Sequence, residues 1–331
     1  MSRSSSWSTV AAVLCVLLCS TCVSRDAVQR TVERSYDPND TYVVLLGTGT
    51  PNADPERSGP SLAIVANDVA YLVDAGTGIV RRAATVAQMG VRALEAPRLG
   101  RVFITHLHSD HTLGLADLLL TPWVLERSAP LEVYGPPGTS QMVGHLLAAY
   151  ETDIQRRIEG LQPQNATGQR AIVHEIGPGE VYRDANVVVT AFAVEHEEWP
   201  LAFGYRFDLG DGTVVVSGDT RPSEAVVTAC DECDILVHEV YSDAGFARRS
   251  PEWQQYHSVA HTSARQLAAL AQRARPGLLV LYHQLFWGTP DADLVAEVQR
   301  GYGGPLVSGR DLDVFRVGTR SRISLSPASP D

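Results

Sequence analysis

The sequence predicts an α+β fold in one domain, two β-sheets packed back to back with helices outside. Two observations carry this. Short runs rich in Val, Ile and Leu, bounded by Gly, Asp or Pro, come first in pairs and later singly between helical stretches. That mixed rhythm does not fit the strict strand–helix alternation of a doubly wound parallel sheet. The chain has 331 residues, 44% of them hydrophobic, and no internal repeat. At roughly 100–200 residues per domain, one large core is the economical reading.

Taken in order, residues 1–24 read as a signal peptide. Arg3 gives a positive start and the run 10–18 is apolar, far short of the ~20 residues that span a bilayer. The small polar stretch 20–24 offers a cleavage site. Cys19 and Cys22 raise a lipid anchor as an alternative, but neither follows the usual lipoprotein residues, so plain export to the periplasm or outside the cell is preferred. A polar linker covers 25–40, the folded domain 41–325 and a flexible tail 326–331. Strands are expected at 42–46, 61–65, 69–73, 102–105, 131–134, 187–192, 202–207, 213–217, 235–238 and 278–282. Helices are expected at 79–88, 113–124, 140–150, 223–229, 263–274 and 292–300. The stretch 242–260 reads as a lid-like loop carrying Trp253, Tyr256 and His257.

Composition narrows the chemistry. All 27 basic residues are arginine, which excludes a lysine Schiff base and a phosphate-loop lysine. A net charge of −11 argues against broad nucleic-acid binding, which needs clustered cations. Outside the leader the cysteines are Cys230 and Cys233, in a lone C-x-x-C that reads as incidental or as a small structural disulfide. His145 and His174 lack acidic or histidine companions and read as surface residues. Asn165-Ala166-Thr167 fits a glycosylation sequon, three residues of little weight.

The decisive signal is Thr105-His106-Leu107-His108-Ser109-Asp110-His111, directly after an apolar strand. An extended segment turns alternate side chains to one side, so His106, His108 and Asp110 point together, and His111 joins them at the turn into the next helix. Imidazole and carboxylate are the donors a borderline cation such as Zn²⁺ accepts. A solvated histidine-rich loop is a poor alternative between a buried strand and an amphipathic helix.

This motif resembles that of the metallo-β-lactamase superfamily, a four-layer αββα sandwich, and the superfamily's other landmarks follow in order. His196 matches the later histidine, Asp219 the bridging acid, His283 the final histidine, and Asp74 the early acid that braces the metal loop. The resemblance implies two Zn²⁺ ions, with Mn²⁺ or Fe as alternatives. One is held by His106, His108 and His196, the other by Asp110, His111 and His283, with Asp219 between. Ions ~3.5–4 Å apart share a hydroxide that attacks an ester, and Asp110 also orients it.

Further stretches resemble the ribonuclease Z branch: Leu46-Gly47-Thr48-Gly49-Thr50-Pro51, Tyr134-Gly135-Pro136-Pro137-Gly138, Phe203-Gly204-Tyr205-Arg206, Val237-His238-Glu239-Val240 and His261-Thr262-Ser263-Ala264. The implied roles are His261 on the phosphate or leaving oxygen and Glu239 fixing His261. Arg206 is a candidate anion binder. The chain departs from the tRNA-processing members in having only 23 residues from His196 to Asp219, too few for their tRNA-binding arm. The aromatics Phe286 and Trp287 either line a pocket or pack, and packing is preferred.

The expectation is an exported dinuclear zinc phosphodiesterase acting on a small ester rather than folded tRNA. Lactone, sulfate-ester or carboxylic-ester hydrolysis on the same site is the alternative. A non-catalytic metal-binding protein is disfavoured, since a retired site has little reason to keep every ligand. Related folds often dimerise, but no residue here marks an interface.

Overall fold

The computed structural model describes residues 32–33 and 36–325. The expected leader, its cysteines and the tail at 326–331 lie outside the described residues. The strands are β1 (Val32–Glu33), β2 (Tyr42–Gly47), β3 (Ser61–Ala66), β4 (Val69–Val73), β5 (Arg101–Phe103), β6 (Leu131–Gly135), β7 (Ala171–Glu175), β8 (Gly179–Arg183), β9 (Val187–Val194), β10 (Ala202–Leu209), β11 (Gly212–Val216), β12 (Ile235–Tyr241), β13 (Leu278–Leu285), β14 (Leu306–Ser308), β15 (Val314–Arg316) and β16 (Ser321–Ser324). The helices are α1 (Ile79–Gln88), α2 (Ser109–Thr112), α3 (Leu115–Val124), α4 (Thr139–Ala149), α5 (Glu151–Glu159), α6 (Glu224–Cys230), α7 (Asp243–Phe246), α8 (Pro251–Ala260), α9 (Ala264–Ala274) and α10 (Asp291–Gln299).

Two mixed sheets form, in the orders β1-β16-β15-β2-β3-β4-β5-β6-β7 and β14-β13-β12-β11-β10-β9-β8. Strands such as β2 are apolar at every position because both faces are covered. Val43 and Leu45 pack between the sheets against residues such as Phe207 and Val280. Their neighbours Val44 and Leu46 pack outward against Ile79 of α1 and Leu115 of α3. The second sheet repeats the arrangement, with Val215 and Leu236 facing Val226, Leu267 and Leu294 of α6, α9 and α10. Helices, sheet, sheet and helices make the four layers the sequence predicts. Each fully buried Leu or Val contributes about 1.5–3 kcal/mol.

Several expectations need correction. Part of the linker is docked: β1 pairs with β16, and the Tyr36 ring lies tilted against Tyr42 while its hydroxyl donates to Asp68 at 3.2 Å. The lid-like loop at 242–260 contains two helices, α7 and α8, capped by Ser242 and begun at Pro251. The helix expected from 113 begins at Leu115, capped by Gly114, which passes so close to Ala75 and Gly76 that a Cβ would lie 2.3 Å from the Gly76 carbonyl oxygen. Cys230 and Cys233 are joined by a disulfide. His145 and His174 are exposed, as expected. Asn165 turns its amide nitrogen to the Arg127 carbonyl at 3.2 Å.

Candidate metal centre

The histidine motif leaves β5 as an extended segment only as far as His108, which caps α2. The expected alternation therefore covers His106 and His108. Asp110 and His111 reach the same centre because the α2 turn swings both inward, and all but His108 are buried or nearly so. His196 follows β9. Asp219 follows β11 through Gly218, whose φ of 61° and contact with the Phe203 carbonyl suit glycine alone. His283 occupies a β-bulge: Glu239 pairs with Tyr282 and Val240 with Gln284, so His283 is the surplus residue, at φ 44°.

Two groups of donors result. Nδ1 of His108 lies 3.0 Å from Nε2 of His106 and 3.1 Å from Nε2 of His196. Nε2 of His283 lies 3.2 Å from Oδ2 of Asp110 and 3.5 Å from Oδ2 of Asp219, which is 3.4 Å from Nε2 of His111. The donor atoms of His106, His108 and His196 lie within ligating reach of one another, as do those of Asp110, His111 and His283; Asp219 joins His106 and His111 in a third such group. The seven expected ligands are thus brought together in the expected partition. His261 also comes within reach, grouped with His196 and Asp219 and with Glu239 and His283.

Surrounding residues orient the rings. Thr105 gives both its amide (2.8 Å) and its hydroxyl (3.0 Å) to Asp74. With that proton committed, Thr105 Oγ1 accepts from His106 Nδ1 at 3.0 Å. His196 Nδ1 donates to the Ala260 carbonyl at 2.7 Å and His111 Nδ1 meets Asp74 at 2.7 Å. His106 and His196 therefore present bare Nε2 lone pairs to the centre, the tautomer a cation requires. His108 differs. Trp199 donates to its Nε2 at 3.0 Å, which keeps the His108 proton on Nδ1. A cation at Nδ1 needs that proton on Nε2 instead, where Glu197 lies 3.6 Å away. Neither Glu197 nor Trp199 stands out in the sequence.

The electrostatics agree with a cation site. Burial pushes His106 well below its ordinary pKa, lowers His108, and brings His196 down to about 4. Burial alone would raise Asp219, but the His283 and His111 imidazoles outweigh it and hold the carboxyl well below its usual range. His111 shows the converse: Asp219, Asp74 and Asp110 overcome burial and hold it well above normal. That excess of buried negative charge is what a divalent cation neutralises. Asp219 Oδ1, His283 Nδ1 and His111 Nε2 are buried without a hydrogen-bond partner. The residues present fit two divalent ions.

Beside the donors, Glu239 Oε1 accepts the Thr262 amide at 2.8 Å and lies 3.5 Å from His261 Nδ1. A capping box between Ser263 and Gln266 starts α9 directly after and fixes this corner. Burial alone would lower His261, but Glu239 and then Asp219 raise it. Arg206 is not in the site. It lies on the outer face of β10, with Nε 2.9 Å from Asp208 and NH1 on the Ala229 carbonyl at the end of α6, because its neighbour Tyr205 takes the inward position and donates to the Ile104 carbonyl at 2.7 Å. The guanidinium that does face the site is Arg249. Together with Trp253, Tyr256, His257 and Trp287 it walls a cavity of about 350 Å³ above Asp110, Asp219 and His261. Trp287 thus lines the pocket, contrary to expectation, while Phe286 packs under Arg57. The cluster of aromatics around His257 was the signal for this wall.

The beta-lactamase superfamily domain matches residues 70–284. A ribonuclease Z of Mycobacterium bovis is 36% identical over 246 residues, 73% of this chain and 85% of the relative. The metallo-beta-lactamase fold protein YhfI from Bacillus subtilis superposes with a TM-score of 0.64 at 16% identity, covering 84% of this chain and 99% of that one. Human tRNase Z, short form, gives 0.59 at 24% identity, covering 83% and 99%. The chain therefore belongs to the beta-lactamase superfamily, on its ribonuclease Z branch of metal-dependent hydrolases.

Proposed function

We propose that this protein is an exported dinuclear zinc hydrolase of small phosphodiesters, and that folded tRNA is not its substrate. The observation that carries the reading is the meeting of seven metal-type donors and the Glu239–His261 pair. His106, His108 and His196 would hold one ion and Asp110, His111 and His283 the other, with Asp219 between. When bound, such ions activate the nucleophile near neutral pH and neutralise charge on the phosphoryl group.

The chain's own residues divide the remaining work. Asp110 lines the cavity and accepts a hydrogen bond from the attacking water, which sets its direction. Glu239 keeps a proton on His261 Nδ1 and leaves Nε2 to the substrate. His261 then hydrogen-bonds a phosphoryl oxygen and passes a proton to the leaving oxygen. The modest cavity volume of about 350 Å³ and the short interval between His196 and Asp219, filled by β10 and β11, support a small substrate. The Cys230–Cys233 disulfide and the apolar N-terminal run support export, since disulfides persist in oxidising compartments.

The test is metal analysis of protein beginning near Arg25, followed by a panel of aryl phosphodiester, sulfate ester and lactone. Close to two zinc ions per chain and preferred turnover of the phosphodiester, abolished in His108→Ala, are expected. Full activity in rigorously metal-free protein would overturn the reading. Preference for the lactone or sulfate ester would replace the substrate class, and metal without any turnover would favour a binding role.

A further inference from the structure

Arg249 lies two residues before α8 and is the sole guanidinium among the residues lining the cavity. Its Cζ lies 5.2 Å from the ring centroid of Trp253 and 5.4 Å from that of Trp287. Two indoles thus hold the charge in place. Most other arginines in the described chain meet a carboxylate, but Arg249 has no such partner among the described residues, and its Nε is buried without a hydrogen-bond partner. A positioned, unpaired cation on a cavity wall is notable in a chain of net charge −11.

Its distance from the chemistry is set by aromatic rings. His257 lies between the two ends, with its ring centroid 5.5 Å from His261, 4.5 Å from Trp287 and 5.5 Å from Trp253, nearly parallel to the last. Trp253 is half exposed and lines the cavity together with His257 and Trp287. A substrate whose scissile phosphate sits by His261 therefore has a planar surface to run along and a guanidinium beyond it.

On the phosphodiesterase reading above, we propose that Arg249 clamps a second anionic group of a substrate whose planar moiety lies against the indole wall. The substrate class is then a small nucleotide-type diester with an additional phosphate. Guanidinium recognises phosphate with paired, directional N–H donors, and indoles stack on any base without reading its sequence.

Two diesters with one scissile bond test this: the p-nitrophenyl ester of thymidine 5′-phosphate, with and without a 3′-phosphate. In the zinc-loaded wild type the 3′-phosphate is expected to lower KM about tenfold at similar kcat. Arg249→Gln removes that advantage and Arg249→Lys restores part of it. A second measurement avoids turnover: tryptophan fluorescence of metal-free protein titrated with thymidine 3′,5′-bisphosphate, with about tenfold weaker binding in Arg249→Gln. Equal KM for both diesters in the wild type, or an advantage that survives in Arg249→Gln, overturns the proposal. If neither diester is hydrolysed, the phosphodiesterase reading fails, and the fluorescence titration still decides the clamp: equal binding by wild type and Arg249→Gln rejects it.

Discussion

Oε1 of Glu239 lies 3.5 Å from Nδ1 of His261 and accepts the amide of the next residue, Thr262, at 2.8 Å. One carboxylate oxygen thus anchors the backbone beside the ring and sets its negative charge against the imidazole. His261→Ala should lower kcat by about 10²–10⁴-fold, the usual worth of a general acid, while metal content stays at the wild-type level. Glu239→Gln should cost less and change the pH profile. His261 must be protonated to donate, and Glu239 raises its pKa. Without that charge the alkaline limb of kcat should move to lower pH. An unmoved limb would remove Glu239 from this role.

Asp74 binds no ion in this arrangement but holds Thr105 and His111. Asp74→Ala should weaken metal affinity about 10–100-fold, the usual cost of losing such an outer partner. Chelator competition followed by metal analysis reads this directly. Retention of wild-type affinity would show that the His111 ring is oriented by packing alone.

Gly218 combines a φ of 61° with a carbonyl oxygen 2.4 Å from where a Cβ would sit. Gly218→Ala should destabilise the fold by on the order of 2–4 kcal/mol, from backbone strain and overpacking together. Because Asp219 is the next residue, bound metal should fall as well. Denaturant midpoints and metal content measured on the same sample check both.

Asp313 is buried and its pKa is pushed up to about 6, burial outweighing the nearby Arg322 and Arg310. An acid whose folded pKa exceeds its unfolded value of ~3.9 binds its proton more tightly when folded, so its stabilising contribution is present below about pH 4 and is lost as pH rises through 6. Asp313→Asn should therefore gain stability relative to wild type between pH 4 and 7, by up to about 3 kcal/mol. Parallel unfolding curves for the two proteins across that range would contradict the burial argument.

Much of the site is legible in the sequence because four ligand-type side chains, His106, His108, Asp110 and His111, fall within six residues directly after an apolar strand. The internal strands are equally plain, since burial on both faces makes them continuously apolar. The strands missed lie at edges, where β7 and β8 carry exposed polar residues, or are as short as β14 to β16. Arg206 misled because position in a motif does not reveal which face of a strand a side chain takes; one step along β10, Tyr205 holds the inward place. Arg249 was hidden for the opposite reason. Only the folding of 242–260 into α7 and α8 brings it between Trp253 and Trp287.

The bulge at His283 has a consequence for how this enzyme tolerates change. The strands on either side stay in step only because β13 carries one residue more than β12 at that point. Deleting His283 would let the ladder run unbroken with both flanks still in register, and would remove the one position whose positive φ turns an imidazole into the site. Chain length here is thus as much a determinant of the donor cluster's geometry as the imidazole itself. Indels in this short window should be tolerated far less than substitutions of its apolar residues.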